Sequence, residues 1–185
     1  MPSPFSLGFC QGSNVIFLVR DPRAVVVSYY HELVDRRRLY RGPLTQFIRD
    51  PALGIAHILR FLNFLVGERD RLDDLVISYE DLHRHAAGEL ARMLEFSGTS
   101  VDAAALKDSV RFAEFANMRR LEQSGQFGEQ LSPTRASNPD SYKVRKGSVD
   151  WYREELSPDD LAYLDEEIRQ GLSTTYGAPA WSRAV

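Results

Sequence analysis

The stretch NVIFLVRDPRAVVVSYY, Asn14 to Tyr30, decides how the rest of the chain is read. Val15 to Val19 is a short apolar, β-branched run, the pattern of a strand buried on both faces within a parallel sheet. Arg-Asp-Pro-Arg breaks that run. Asp21 is a good N-cap, and Pro22 falls at the first helical position, where its missing N–H costs nothing, so the spacing predicts a helix from Pro22 to about Arg37. An arginine at the carboxyl end of a parallel strand, followed at once by a helix N-terminus, is where open α/β folds bind anionic ligands. Arg20 and that helix therefore form a candidate anion site. Ser28, two helical turns after Asp21, adds a hydroxyl if the ligand lies along the helix.

Each of these residues also has a plain structural reading. Arg20 is equally readable as an ion-pair partner of Asp21 or Glu80, and Ser28 as bonding back to the carbonyl four residues earlier. A second signal lies far downstream in SYKVRKGSVDWY, Ser141 to Tyr152. Lys143, Arg145 and Lys146 form a compact basic cluster, Gly147 permits close backbone approach to a ligand, and the arginine fork suits phosphate oxygens. A basic loop by itself is more often a solvated surface. The two signals together favour a phosphate ligand.

Outside these motifs the chain reads as an ordinary globular protein. It has 185 residues, 43% of them hydrophobic and 26% charged, enough for one domain with a real core. The net charge of -3 supplies no global attraction for nucleic acid or an anionic membrane, so any anion site is local. Its one cysteine, Cys10, allows no internal disulfide, which makes the cytoplasm the default compartment. No apolar run approaches the roughly 20 residues that span a bilayer. No His, Cys or Asp cluster has metal-ligand spacing, and no metal is expected.

Leu44 to Ile48 fits one helical turn inside a Pro- and Gly-punctuated loop, and Ile55 to about Arg69 an amphipathic helix. Leu75 to Leu82 reads as a second apolar strand, so strand, helix and strand form a βαβ unit. Helical pieces follow at Ala86–Phe96, Val101–Lys107 and Ser109–Leu121, then a surface loop at Gly125–Ser141. A last helix starts at Pro158 with Ser157 as cap. Residues 1–14 read as an irregular lead-in, 15–178 as the domain and 179–185 as a tail. The four arginines between Arg36 and Arg41 are read as the solvated cationic end of a helix.

With these motifs in place, the chain resembles the cytosolic-type and bacterial sulfotransferases that use 3′-phosphoadenosine 5′-phosphosulfate (PAPS). Arg20 and Ser28 in RDPRAVVVSYY match that family's 3′-phosphate motif, and Arg145 to Gly147 match its late Arg-Lys-Gly loop. FLNFL, ISYEDL and FANMRRLE match the segments between them. The resemblance implies a P-loop-kinase-like, three-layer α/β parallel-sheet fold. It implies that Arg20, Ser28, Arg145, Lys146 and Gly147 hold the 3′-phosphate, that Tyr79 reaches the adenosine and that Phe115 lines the adenine pocket. Glu114 departs from the pattern, since the family usually has Ser or Thr before that phenylalanine.

The implied function is sulfuryl transfer from PAPS to a hydroxyl or amine group of a small-molecule, glycan or lipid acceptor, with 3′-phosphoadenosine 5′-phosphate (PAP) as product. Met1 to Asn14 contain no match to the family's Lys-Ser-Gly-Thr-Thr phosphosulfate loop, and its usual base and lysine have no counterpart. His31 is on the wrong turn to match that base. The expectation is thus an N-terminally truncated domain with catalytic residues unassigned; the alternative is a catalytically inactive PAP- or PAPS-binding protein.

Overall fold

The computed structural model describes residues 7–10, 12–100, 102–126, 128 and 137–173. Much of the expected Gly125–Ser141 loop and the whole of the 179–185 tail lie outside them. Strand β1 (Asn14–Val19) leads through the Arg-Asp-Pro-Arg turn into helix α1 (Pro22–His31). The Asp21 carboxylate caps α1 by accepting from the Arg23 N–H at 2.9 Å, with Pro22 in the first turn as its chemistry demands. The helix then loosens into a π-helical turn, Glu32–Arg36, and Arg38 takes a left-handed φ of 56° that ends it. Single π turns within helices recur at functional sites.

Helices α2 (Leu44–Ile48) and α3 (Ile55–Glu68) follow, and strand β2 (Asp73–Ser78) comes next. β1 and β2 pair in parallel, Asn14 opposite Asp73 and Val19 opposite Ser78. The second strand stops earlier than its apolar run predicts. Ser78 accepts from the Asp81 N–H at 2.9 Å, a capping contact that starts α4 (Tyr79–Arg84) within what read as strand. Helices α5 (Ala86–Phe96), α6 (Ala103–Phe112) and α7 (Phe115–Gln123) continue the chain. The break between the last two falls at Ala113–Glu114, later than expected: Asp102 caps the start of α6 through the N–H groups of Ala104 and Ala105, and the Phe112 carbonyl at its end accepts from the Asn117 amide at 2.6 Å.

Short 3-10 turns at Pro139–Ser141 and Trp151–Glu154 precede α8 (Pro158–Gly171), which Ser157 caps as predicted. The main core joins Ala24, Val26 and Val27 of α1 to Phe47 and Ile48 of α2, Ile55 and Leu59 of α3, and Trp151, Tyr152 and Leu164. β1 is not buried on both faces as its composition predicts. Phe17 and Val19 are 9% and 3% exposed against the helices, while Ile16 and Leu18 on the opposite face are 40% and 59% exposed. The described sheet has two strands, and its helices cover one side.

Candidate functional site

The parallel register brings both strand ends to one edge. Arg20 follows Val19, Tyr79 follows Ser78, and the Arg20 guanidinium lies over the Tyr79 ring, 4.0 Å from its centroid. The turn below is knitted by buried groups: the Asp21 N–H donates to Glu80 Oε1 at 3.0 Å, and Asp21 accepts from Arg23 and from the Tyr152 hydroxyl at 3.0 Å. These bonds engage Asp21 and one oxygen of Glu80; the other, Oε2, is buried and has no partner among the described residues. Among the described residues Arg20 forms no ion pair, and its buried Nε has no partner.

Apart from Gly147, the remaining predicted phosphate ligands converge on the same place. Arg20, Ser28, Tyr79, Arg145 and Lys146 line one cleft of about 210 Å³. Ser28 is exposed there, and among the described residues its hydroxyl makes no bond back along the helix. Arg145 Nη1 donates to Asp140 at 3.0 Å and Glu155 at 2.7 Å, and its guanidinium stacks on Trp151 at 4.0 Å. Its second terminal nitrogen, Nη2, is buried and has no partner among the described residues. Lys146 is half exposed and 3.7 Å from Glu154.

Gly147 and Phe115 stand together beside the cleft. A Cβ at Gly147 would come within 3.2 Å of the Phe115 ring, so glycine allows the loop to lie against that aromatic face. The Gly147 carbonyl is also 3.2 Å from His83 Nε2. Phe115 is 44% exposed, an open ring face at the start of α7. Glu114, which breaks the expected pattern, occupies the N-cap of α7 and makes no capping bond.

Several contributors were not singled out from sequence. Buried Glu122 on α7 accepts from the N–H groups of Lys143 and Val144 at 2.7 and 2.9 Å, and Arg119 donates to the Val144 carbonyl and stacks on Tyr142. A charged group thus holds the basic loop by its backbone. Arg36 is not part of a solvated helix end: it lines the cleft, pairs with Glu32 at 3.0 Å and donates to the Ser141 carbonyl at 2.8 Å. The stripe Ser28, Glu32, Arg36 at helical spacing was the available signal. His31 also lines the cleft, between Asp35 Oδ2 at 2.8 Å and Glu155 Oε2 at 2.5 Å.

Charge balance in the cleft follows from these contacts. Burial works to raise the Glu155 carboxyl, but hydrogen bonds from His31 and Arg145 prevail and hold it at about 2. Burial works to lower His31, yet its bonds to Glu155 and Asp35 raise it above the ordinary imidazole value. The cleft is therefore cationic through Arg20, Arg36, Lys143, Arg145 and Lys146, opposed by a few engaged carboxylates. Its open donors fit a multiply charged anion. Among the described residues no group of three or more His, Cys, Asp or Glu side chains is arranged to hold a metal, and no helix is long and apolar enough to cross a membrane.

Comparison with known proteins gives the family and the fold. Sulfotransferase 4A1 of Mus musculus is 30% identical over 102 residues, 53% of this chain and 36% of that protein. The crystal structure of mouse sulfotransferase SULT7A1 complexed with PAP matches with a TM-score of 0.71 at 18% identity, covering 93% of this chain and 62% of that one. Retinol dehydratase in complex with androsterone and inactive cofactor PAP matches with a TM-score of 0.73 at 16% identity, covering 94% and 51%. The matched region is about a third of the length of that curated relative. The Sulfotransferase domain model matches residues 9–176, and the chain belongs to that family.

Proposed function

We propose that the cleft binds the 3′-phosphate of PAPS and PAP, and that the protein transfers the sulfuryl group of PAPS to a hydroxyl or amine acceptor. The observation that carries this reading is that Arg20 Nε and Arg145 Nη2 are buried and, among the described residues, without a partner in the cleft that Ser28 also lines. Burying a donor without a partner costs about 1–3 kcal/mol, and an incoming phosphate oxygen removes that cost. Arg20, Ser28, Arg145, Lys146 and the Gly147 backbone take the phosphate, with Tyr79 and Phe115 beside the nucleoside. In transfer the acceptor oxygen or nitrogen bonds to sulfur, the bond from sulfur to the bridging oxygen breaks, PAP departs and the acceptor proton passes to a base. No catalytic base is assigned to these residues.

Family membership supports the reaction class, and the PAP complexes of its structural neighbours support the nucleotide. We place the reaction in the cytoplasm, without a metal and with a small-molecule, glycan or lipid acceptor. Calorimetric titration of the protein with PAP and PAPS is the test. Failure to bind either nucleotide sinks the proposal. Binding of PAP with no sulfate transfer to a panel of phenols, sugars and lipids selects the narrower reading, a binding protein without turnover.

A further inference from the structure

Six residues close a ring at the rim of the cleft, five links through side chains and one through the Asp140 backbone N–H. Arg145 Nη1 donates to Glu155 Oε1 at 2.7 Å, and Glu155 Oε2 meets His31 Nε2 at 2.5 Å. His31 Nδ1 meets Asp35 Oδ2 at 2.8 Å, and Asp35 Oδ1 accepts from the Asn138 amide at 3.2 Å. Asn138 accepts from the Asp140 N–H at 3.0 Å, and Asp140 Oδ1 returns to Arg145 Nη1 at 3.0 Å. The ring joins four separate pieces of chain: the end of α1 with its π turn, the Pro139–Ser141 turn, the Arg145 loop and the residue after the Trp151–Glu154 turn.

His31 is the member of this ring whose charge changes in the neutral range. Its two ring nitrogens both face carboxylate oxygens, which only accept when ionised, so both nitrogens must donate and the ring is closed around an imidazolium. The carboxylates stand on opposite sides of the imidazole, so they cannot converge on one metal ion. Facing His31 are Asp35 from the π turn, Glu155 after the Trp151–Glu154 turn and Arg145 from the loop, with the rings of Tyr30 and Trp151 at 5.3 and 6.3 Å. Arg20, Glu32, Arg36, Asp140, Lys143 and Lys146 complete the charged lining. Ser28 lies one helical turn before His31 on α1, so the ring ties the helix bearing Ser28 to the loop bearing Arg145.

We infer that His31 is a positioning residue for the anion clamp: while protonated it holds Glu155 and Asp35, keeps Arg145 turned into the cleft, and makes binding of the nucleotide's 3′-phosphate proton-linked. This rests on the PAP-binding reading above. Loss of the proton sets a ring nitrogen's lone pair against a carboxylate oxygen, opens the ring at that contact and removes one positive charge from beside the phosphate. Glu155, when released, compensates Arg145 more fully, so phosphate affinity falls as pH rises. PAP itself responds in the other direction, because its 3′-phosphate gains charge on passing a second pKa of about 6.

The test is calorimetric titration of PAP into the full chain from about pH 6 to pH 8.5, in buffers of different ionisation heat that report the protons taken up. Wild type is expected to take up protons on binding and to lose about tenfold in affinity across that range. His31→Gln is expected to show no such uptake and an affinity that is level or rises with pH. Asp35→Asn, which leaves the imidazole one carboxylate, is expected to move the fall to lower pH, and the wild-type proton count itself depends on no variant. PAP binding to wild type with no proton uptake, or with a pH profile shared by both variants, overturns the inference and leaves the binding proposal standing. No PAP binding at any pH overturns both.

Discussion

The turn after β1 carries two arginines three residues apart that end in opposite regions of the molecule. Arg23 faces inward, buried, with its fork on Asp21 at 2.8 Å and Asp165 at 2.7 Å. Arg20 faces the cleft, stacked on Tyr79, and among the described residues it has no carboxylate within ion-pair reach and no partner for its buried Nε. A paired buried arginine is scaffold: its charge is already compensated, and the cost of removing it falls on the groups left behind. An arginine held in place by stacking, with an unused donor, is a recognition element. Arg145 combines both characters, Nη1 tied to Asp140 and Glu155 and Nη2 open among the described residues.

Replacing the inward residue should have the largest effect. Arg23→Ala strands the buried Asp21 carboxylate, and a loss of about 3–5 kcal/mol is expected in urea denaturation. Arg20→Ala should leave stability almost unchanged while weakening PAP binding by about 1.5–3 kcal/mol, ten- to a hundredfold by calorimetry. Arg145→Ala should lose as much affinity and some stability as well. If Arg20→Ala destabilised the protein as Arg23→Ala does and left PAP affinity alone, the contrast between the two regions would collapse.

Acid titration sharpens the comparison at smaller scale. The Glu155 carboxyl sits at about 2 in the folded protein, below its ordinary value, so its contribution to stability is present above the ordinary carboxylate range and is lost as pH falls toward 2. His31 runs the other way: raised in the fold, it contributes fully below the ordinary imidazole value, and that part is lost as pH rises through its folded value. Glu155→Gln should flatten the acid limb of a stability-against-pH curve. The smallest effect is expected for Gly147→Ala. Its new methyl presses on the Phe115 ring, which is exposed enough to swing aside, so PAP affinity should fall by only about 1 kcal/mol or less, with the melting temperature unmoved.

The two regions were unequally legible in the sequence. Asp21 with Pro22 and Ser157 with Pro158 announce their helices through cap chemistry that acts within four residues, and α3 follows from its apolar spacing. The end of β2 was misplaced because the apolar run outweighed the Ser78–Asp81 cap, which was equally local. Arg20, Ser28 and the Arg145 loop were recognisable as motifs, and they do share one cleft. Glu122 under the loop and Glu155 beside His31 were not recognisable. The Glu122 contacts span 21 and 22 residues, and the Glu155–His31 contact spans 124.

The amino-acid order by itself determined the local conformations, since capping, proline geometry and apolar period act between near neighbours. It also determined which residue types were available to meet an anion. Only the tertiary structure decided which arginine is compensated and which is open. That outcome depends on where Asp165, Glu80 and Tyr152 arrive from distant parts of the chain, and on which face of β1 the helices cover. The strength of a charge is set by what lies within a few ångströms of it, and that neighbourhood is a property of the packed molecule.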